Sequence, residues 1–173
     1  MTDPAEVRET RPFKAMLGWL GLAGVVLLVD QATKWVVVTN LALGEQVMVL
    51  PFFRWVHWQN PGAAFSLFRD LDARWVFVAL AVGISGFIIY ELRHLPVGSR
   101  IMGWVYGLIL GGALGNGTDR LLTGLVVDFA RFEYGSFGFP AFNVADSALS
   151  IGACLWIGLM IAEYRKSGDG VIE

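Results

Sequence analysis

The stretch AMLGWLGLAGVVLLVDQATKWVVV, from Ala15 to Val38, is long and apolar, and two charges interrupt it, Asp30 and Lys34. About 20 mostly apolar residues suffice to cross the roughly 30 Å of hydrocarbon in a bilayer. Three further stretches meet this requirement, at about 75–92, 101–117 and 142–162. With the first stretch at about 15–38, the sequence predicts an all-α polytopic membrane protein with four transmembrane helices in a single domain.

The composition fits a membrane protein and argues against a nucleic-acid partner. Of the 173 residues, 55% are apolar and 16% are charged, and the mean hydropathy is +0.58. A soluble domain carries about 25% charged residues. The net charge of −2 offers no excess of cations for a phosphate backbone. The single cysteine, Cys154, cannot form an internal disulfide and is expected to pack as a small apolar side chain.

Basic residues predict the orientation in the membrane, because Lys and Arg favour cytoplasmic loops. They precede the first span, lie between the second and third, and follow the fourth: Arg8, Arg11, Lys14, Arg93, Arg100, Arg165 and Lys166. With four spans, these three regions share one side of the membrane. Both termini are therefore predicted to be cytoplasmic, and the outer loops are residues 39–74 and 118–141.

The first outer loop is predicted to contain strands and a short helix. Residues 46–59 alternate in part and are rich in Val, Phe and Trp, which favour strands. Asn60-Pro61-Gly62 is typical of a turn, and residues 63–68 are expected to form a short interfacial helix. We expect this loop to form a small extracytoplasmic β-rich cradle. Residues 167–173 are predicted to be a disordered tail.

Two aspartates, Asp128 and Asp146, stand out because they lie at the mouths of predicted spans. A carboxylate in or beside the hydrocarbon costs several kcal/mol unless it is paired or neutral, so it is a functional hypothesis by default. Apolar residues surround Asp128 in the sequence, and desolvation should raise its pKa, which suits a general acid. Two such residues on one side of the membrane predict a dyad that shares one proton, as in an aspartic protease.

Other polar residues fall toward the same side of the membrane. Asp30 and Lys34 are four apart, so on a helix they can form an ion pair. Alternatively, Lys34 reaches lipid head groups or substrate. Asn116, Asp119 and Arg120 close the third span, either as a polar helix end or as part of the site, and Arg120 is the expected ionic partner of Asp119.

Two residues next to Asp146 have expected roles as well. Asn143 lies three residues before it and either caps the fourth helix or binds the substrate backbone. Ala145 is small and leaves room for a chain to pass.

Other chemistries fit less well. The two histidines, His57 and His94, fall on opposite sides of the predicted membrane, so a His-rich metal site is not expected. No nucleophile-elbow motif surrounds a serine, and no Gly-rich phosphate loop is present. The sequence therefore predicts neither a metal nor a cofactor.

Five motifs in order carry a resemblance to a known family. They are DQATK (30–34), NPGAAFS (60–66), GGALGNGTDR (111–120), VVDF (126–129) and FNVAD (142–146). Together they resemble bacterial lipoprotein signal peptidase, also called signal peptidase II. Within the third motif, Gly117-Thr118 is smaller and more polar than the pair expected from the family pattern.

The resemblance implies a membrane aspartic endopeptidase of the bacterial inner (plasma) membrane. It would remove the signal peptide from diacylglyceryl-modified prolipoproteins, cutting before the lipidated cysteine. Its catalytic residues would be Asp128 and Asp146, near the outer face, and cyclic peptide inhibitors of the globomycin type are expected partners together with membrane lipids. The substrate-binding or supporting residues would be Asn116, Arg120, Asn143, Ala145, Asp119, Asn60, Gly62, Asp30 and Lys34. The segment after Asn60 would be a movable flap.

Two other classes of protein remain as alternatives. A small polytopic transporter or proton pathway would also place carboxylates in the membrane, but it predicts polar residues at the middle of several spans rather than at one end. A non-catalytic assembly protein would use the same polar pairs for structure alone, so replacing Asp by Asn would affect only its stability.

Overall fold

The computed structural model describes residues 13–62, 73–96 and 98–169, and this part of the chain is mostly helical. It contains the helices α1 (Phe13–Asn40), α2 (Ala73–His94), α3 (Arg100–Thr123) and α4 (Val144–Asp169). Its strands are β1 (Gln46–Leu50), β2 (Phe53–Asn60), β3 (Val126–Tyr134) and β4 (Phe137–Gly138). The strands lie in the two connections that join α1 to α2 and α3 to α4.

Among the described residues, three helices are long and apolar enough to cross a membrane: α1, α2 and α4. The helix α3 is not one of them, because glycines and polar residues near its C-terminal end lower its hydropathy. It contacts each of the other three helices and buries much of its own surface. A helix that its neighbours shield in this way needs less apolar surface than one that faces lipid on most sides.

The glycines of α3 allow its neighbours to approach closely. A Cβ atom on Gly111 would lie 2.8 Å from the backbone oxygen of Ala23 on α1, and one on Gly112 would lie 2.6 Å from the backbone oxygen of Ala145 on α4. On Gly117, the corresponding atom would lie 2.9 Å from the side chain of Ala81 on α2. Small residues thus set the backbone separation on three sides of α3.

A four-stranded antiparallel sheet in the order β1-β2-β3-β4 covers one end of the helices. It packs on the C-terminal half of α1, where buried Val37 meets Phe129 and Ala130 of β3. The register between β2 and β3 pairs Trp58 with Asp128, after a β-bulge that follows Trp55. The sheet therefore fixes Asp128 over the end of the helices.

Several predicted boundaries were wrong. The strands predicted within residues 46–59 are present as β1 and β2, and the chain is mostly helical with a small antiparallel sheet. The prediction missed β3 and β4, which make the 118–141 connection part of the same sheet. The helix α3 continues past residue 117 to Thr123, where Gly124 ends it with a positive φ of 83°. The helix α4 continues to Asp169, so the tail predicted at 167–173 begins too early. The interfacial helix predicted at 63–68 and residues 170–173 lie outside the described residues.

Replacing Gly111 by Ala is expected to lower the free energy of unfolding by about 1–3 kcal/mol, since overpacking strains a close helix interface. The new methyl group would lie 2.6 Å from Cβ of Val26, as well as against the α1 backbone. Thermal unfolding in detergent micelles would measure the loss. Gly83→Ala is the control, because no atom lies within 4 Å of its Cβ position. Equal melting temperatures for the two variants would contradict the close packing of α1 on α3.

Candidate active site

Asp128 lies on β3 with its carboxylate buried and hydrogen-bonded on both oxygens. The residue is 4% exposed. Asn143 donates from Nδ2 to Oδ1 at 2.9 Å, and Asn60 donates from Nδ2 to Oδ2 at 3.1 Å. Burial, and then the nearby charge of Asp146, raise the pKa of Asp128 to about 6, although Asn60, Asn143 and the charge of Lys34 act in the opposite direction. Asp128 can therefore hold a proton at mildly acidic pH.

Asp146 lies in the first turn of α4 and is only half-buried. The side-chain oxygen of Asn143 accepts the backbone N–H of Asp146 at 2.8 Å, and a carboxylate oxygen of Asp146 accepts the backbone N–H of Asn143 at 3.3 Å. This reciprocal pair is a capping box, with Asp in the place of Glu or Gln. Asn116 of α3 donates to the other carboxylate oxygen at 2.7 Å.

Asn143 joins the two aspartates. Its side-chain amide donates to Asp128 while its backbone N–H donates to Asp146, so a single residue holds one oxygen of each carboxylate. The same amide reaches the backbone oxygen of Val127 at 3.2 Å, which also fixes it to β3. Asn143 therefore acts both as the predicted helix cap and as the link between the acidic residues.

Lys34 lies below this pair at the centre of a buried ionic cluster. Its Nζ is 2.7 Å from Asp30, 2.9 Å from Asp119 and 3.1 Å from the side-chain oxygen of Asn116. The predicted Asp30–Lys34 ion pair is confirmed. The alternative role at lipid head groups is wrong, because the Lys34 side chain is 4% exposed and its ammonium group is occupied by these partners. Asn116 thus links Lys34 to Asp146.

Each carboxylate of the cluster also accepts the backbone N–H of a residue that immediately precedes Asp128 or Asp146. Asp30 accepts the N–H of Ala145 at 2.8 Å, one residue before Asp146. Asp119 accepts the N–H of Val127 at 3.2 Å, one residue before Asp128. Lys34 therefore ties α1 to both segments that carry the dyad.

Gln31 belongs to this cluster, and the sequence analysis missed it. Its Nε2 lies 2.8 Å from Asp119 and 3.2 Å from the backbone oxygen of Gly115, which joins α1 to α3. The sequence signals were its position beside Asp30 and its place in the motif DQATK, but an amide at the end of an apolar stretch is equally consistent with a solvated residue.

Arg120 does not form the ion pair that was predicted with Asp119, whose cationic partner is Lys34. Its guanidinium lies over the ring of Phe77, 4.4 Å from the centroid, and Nη1 is 3.5 Å from the backbone oxygen of Asn116. No ion pair joins Arg120 to a carboxylate in the described part of the chain, and its buried Nε has no hydrogen-bond partner there. Arg120 therefore has donors to offer to another molecule.

The turn after β2 closes the site on the side of α2. Asn60 accepts the backbone N–H of Gly62 at 2.8 Å while its amide holds Asp128. Gly62 has a φ of 90°, and a Cβ there would lie 2.5 Å from the ring of Phe77, so only glycine fits. Ala145 does not leave a passage for a chain as expected, because it is fully buried and faces Gly115 across the α3–α4 interface.

The geometry supports acid–base chemistry by two coupled carboxyl groups. Within the described ranges, no group of three His, Cys, Asp or Glu residues has the arrangement of a metal site. Asp128 is buried and Asp146 is partly open, so water can reach the pair from one side.

Comparisons with known proteins identify relatives along most of the chain. Residues 22–162 match a family model described as signal peptidase (SPase) II. The lipoprotein signal peptidase of Azoarcus sp. (strain BH72) is 44% identical over 158 residues, which cover 90% of this chain and 87% of that protein. That of Yersinia enterocolitica (serotype O:8 / biotype 1B) is 43% identical over 143 residues, covering 82% and 85%.

A solved structure has the same fold. It is described as a bacterial membrane enzyme determined by the in meso method at 1.9 Å resolution. Its TM-score to this chain is 0.77 at 31% identity, and the match covers 88% of this chain and 96% of that one.

Replacing Lys34 by Met is expected to reduce stability by about 3–5 kcal/mol, because it leaves two buried carboxylates without their cation. Lys14→Met, at an exposed position on the same helix, is the control and should change stability little. Thermal unfolding in detergent measures both. If the two variants melted together, the buried cluster would not hold the site in place.

Proposed function

The chain belongs to the signal peptidase II family, and we propose that it is a membrane aspartic endopeptidase that removes signal peptides from prolipoproteins. The substrate would carry a diacylglyceryl group on a cysteine, and cleavage would occur just before that residue. The observation that carries the proposal is the link through Asn143, which holds one oxygen of Asp128 and one of Asp146. Family membership supports the peptidase activity, and this geometry supports the proposed aspartic mechanism.

In the proposed mechanism the dyad carries one proton when substrate arrives. The charged carboxylate takes a proton from a water molecule as the water oxygen attacks the scissile carbonyl carbon. The neutral carboxyl gives its proton to the carbonyl oxygen, which yields a tetrahedral diol. One carboxylate then accepts a proton from this diol while the other carboxyl protonates the amide nitrogen, and the C–N bond breaks. The dyad ends as it began, with one proton.

The residues around the dyad would hold the substrate and the charges. Arg120 offers guanidinium N–H groups that no carboxylate in the described part of the chain occupies, so it suits a substrate carbonyl oxygen. Asn116 and Asn143 orient the carboxylates and complete the polar wall. Asp30, Lys34, Asp119, Asn60 and Gly62 would support the site.

The proposed position of the site in the membrane rests on the helices and on the lipid carried by the substrate. We infer that α3 is a fourth span shielded by the others, so that both termini lie in the cytoplasm and the dyad lies near the outer face of the bacterial inner membrane. A diacylglyceryl group leaves lipid only at great cost, since each buried CH₂ is worth about 0.8 kcal/mol. A site at the edge of the membrane lets water reach the peptide while the acyl chains stay in lipid. Cyclic peptides of the globomycin type are expected inhibitors.

Asp128→Asn and Asp146→Asn are each expected to abolish cleavage while the protein still folds, because an amide keeps the shape and loses the proton chemistry. A gel-shift assay with a lipidated precursor measures cleavage, and thermal unfolding in the same detergent checks folding. Glu133→Gln is the matched control, because Glu133 is a carboxylate on β3 that pairs with Arg54 away from the dyad.

Retention of cleavage by either dyad variant would refute the aspartic mechanism. An equal loss of cleavage in Glu133→Gln would also count against the mechanism, because the loss could not then be assigned to the dyad. The transporter alternative is not favoured, because the polar cluster occupies one end of the helices.

Cleavage is also expected to depend on pH through Asp128. Its pKa of about 6 means that the proton is lost as the pH rises, so kcat/KM should fall above about pH 6. Steady-state kinetics of the lipidated precursor from about pH 5 to about pH 9 would show this alkaline limb. Asn60→Ala removes a hydrogen bond that lowers this pKa and should move the limb to higher pH. A limb that did not move would mean that a different group controls it.

A further inference from the structure

A groove of about 610 Å³ lies between the N-terminal ends of α1 and α3, at the opposite end of the helices from the aspartates. Asp30 marks the dyad end of α1, because it binds the N–H of Ala145 beside Asp146. The 12 residues of α1 from Gly18 to Asp30 correspond to about 18 Å at about 1.5 Å per residue. The volume of the groove falls within the range of about 300–1,000 Å³ that is typical of small-molecule sites. The proposed mechanism does not use this groove. Its lining includes Ala15, Gly18, Trp19, Leu22, Arg100 and Trp104.

The groove exists because a small residue stands beside two large ones. No atom lies within 4 Å of the position that a Cβ of Gly18 would occupy, so the space beside α1 is open. Trp19 packs against Gly103, where a Cβ would lie 2.3 Å from the indole. Trp104 meets Trp19 edge to face, with ring centroids 5.9 Å apart. The result is an apolar channel with an aromatic wall.

Positive charge lies at the mouth of this channel. Arg100 is exposed at the first position of α3, and no ion pair joins it to a carboxylate in the part of the chain that the structure describes. Lys14 is exposed and lies four residues before Gly18, on the same face of α1. Tryptophan, too, favours the membrane interface. An apolar channel with one cation in its lining and a second about one helical turn away along α1 matches an acyl chain that ends in a phosphate.

We propose that this groove binds one glycerophospholipid with an anionic head group, with an acyl chain along Gly18 and Leu22 and the phosphate on Arg100. Basic pockets between transmembrane helices are sites for anionic lipids. The site lies in the leaflet opposite to the aspartates and is independent of the peptidase mechanism. A zwitterionic lipid presents an extra positive charge to Arg100 and Lys14 and binds more weakly.

The test compares phosphatidylglycerol with phosphatidylcholine of the same acyl chains, each added to the full chain in detergent micelles. Native mass spectrometry should show one phosphatidylglycerol retained per protein at voltages that remove phosphatidylcholine. Phosphatidylglycerol should also raise the Tm by several degrees more, because a ligand that binds only the folded state stabilises it.

Two variants should each abolish both effects. Gly18→Leu fills the channel from a lipid-exposed position where no atom opposes the side chain, and Arg100→Gln removes the charge. Their matched controls should keep both effects. Gly21→Leu is on the same helix with equally open space, and Arg93→Gln removes an exposed arginine outside the lining.

Three results would overturn the proposal. One is equal retention of the two lipids by the unaltered protein, and another is retention of phosphatidylglycerol by both Gly18→Leu and Arg100→Gln. The third is a mass spectrum dominated by a dimer that Gly18→Leu disrupts, because the groove would then be covered by a second copy. Cleavage activity enters none of these readouts, so the outcome is separate from that of the peptidase proposal.

Discussion

Lys34 is a cation buried between two carboxylates, and the segments that carry the dyad are fixed to it. Burying three charged groups is costly unless each is paired and hydrogen-bonded. Asp30 and Asp119 meet this condition by each taking one further backbone N–H, from Ala145 and Val127. These N–H groups belong to the residues directly before Asp146 and Asp128. The hydrogen bonds that the buried charges need thus set the positions of both acidic residues. The same hydrogen bonds hold the site rigid.

The two aspartates differ in their surroundings although they share Asn143. Asp128 sits on a strand, buried, with two amide donors, whereas Asp146 sits at the start of a helix and is partly open. The capping box of α4 holds Asp146, and the register of β3 holds Asp128, so neither residue can move without disturbing one of these elements. This arrangement suits two carboxyl groups that exchange roles within one reaction, because each is held in place whichever of them has the proton.

The sequence was sufficient to predict the four helices, the strands of the first loop and the Asp30–Lys34 pair. It failed where a polar residue interrupts an apolar pattern. Asp128 interrupts the apolar run of β3, so the pattern does not indicate a strand there. Asn116 and Asp119 interrupt the apolar run of α3 before the helix ends. Adjacency in sequence is also a poor guide to ion pairs. The expected Asp119–Arg120 pair does not form, because neighbours at i and i+1 on a helix do not face each other. The true partner, Lys34, comes from another helix and only the fold brings it there.

The central claim is that Asp146 lies close enough to Asp128 for its charge to raise the pKa of Asp128. Carbon-13 NMR of aspartate carboxyl groups in the micelle-bound protein measures this directly. The account predicts that Asp128 titrates near pH 6 and that its midpoint falls when Asp146 is replaced by Asn, since the charge of Asp146 contributes to the raised pKa. A midpoint near the ordinary aspartate value of about 3.9, or one that Asp146→Asn leaves unchanged, would contradict the coupled dyad.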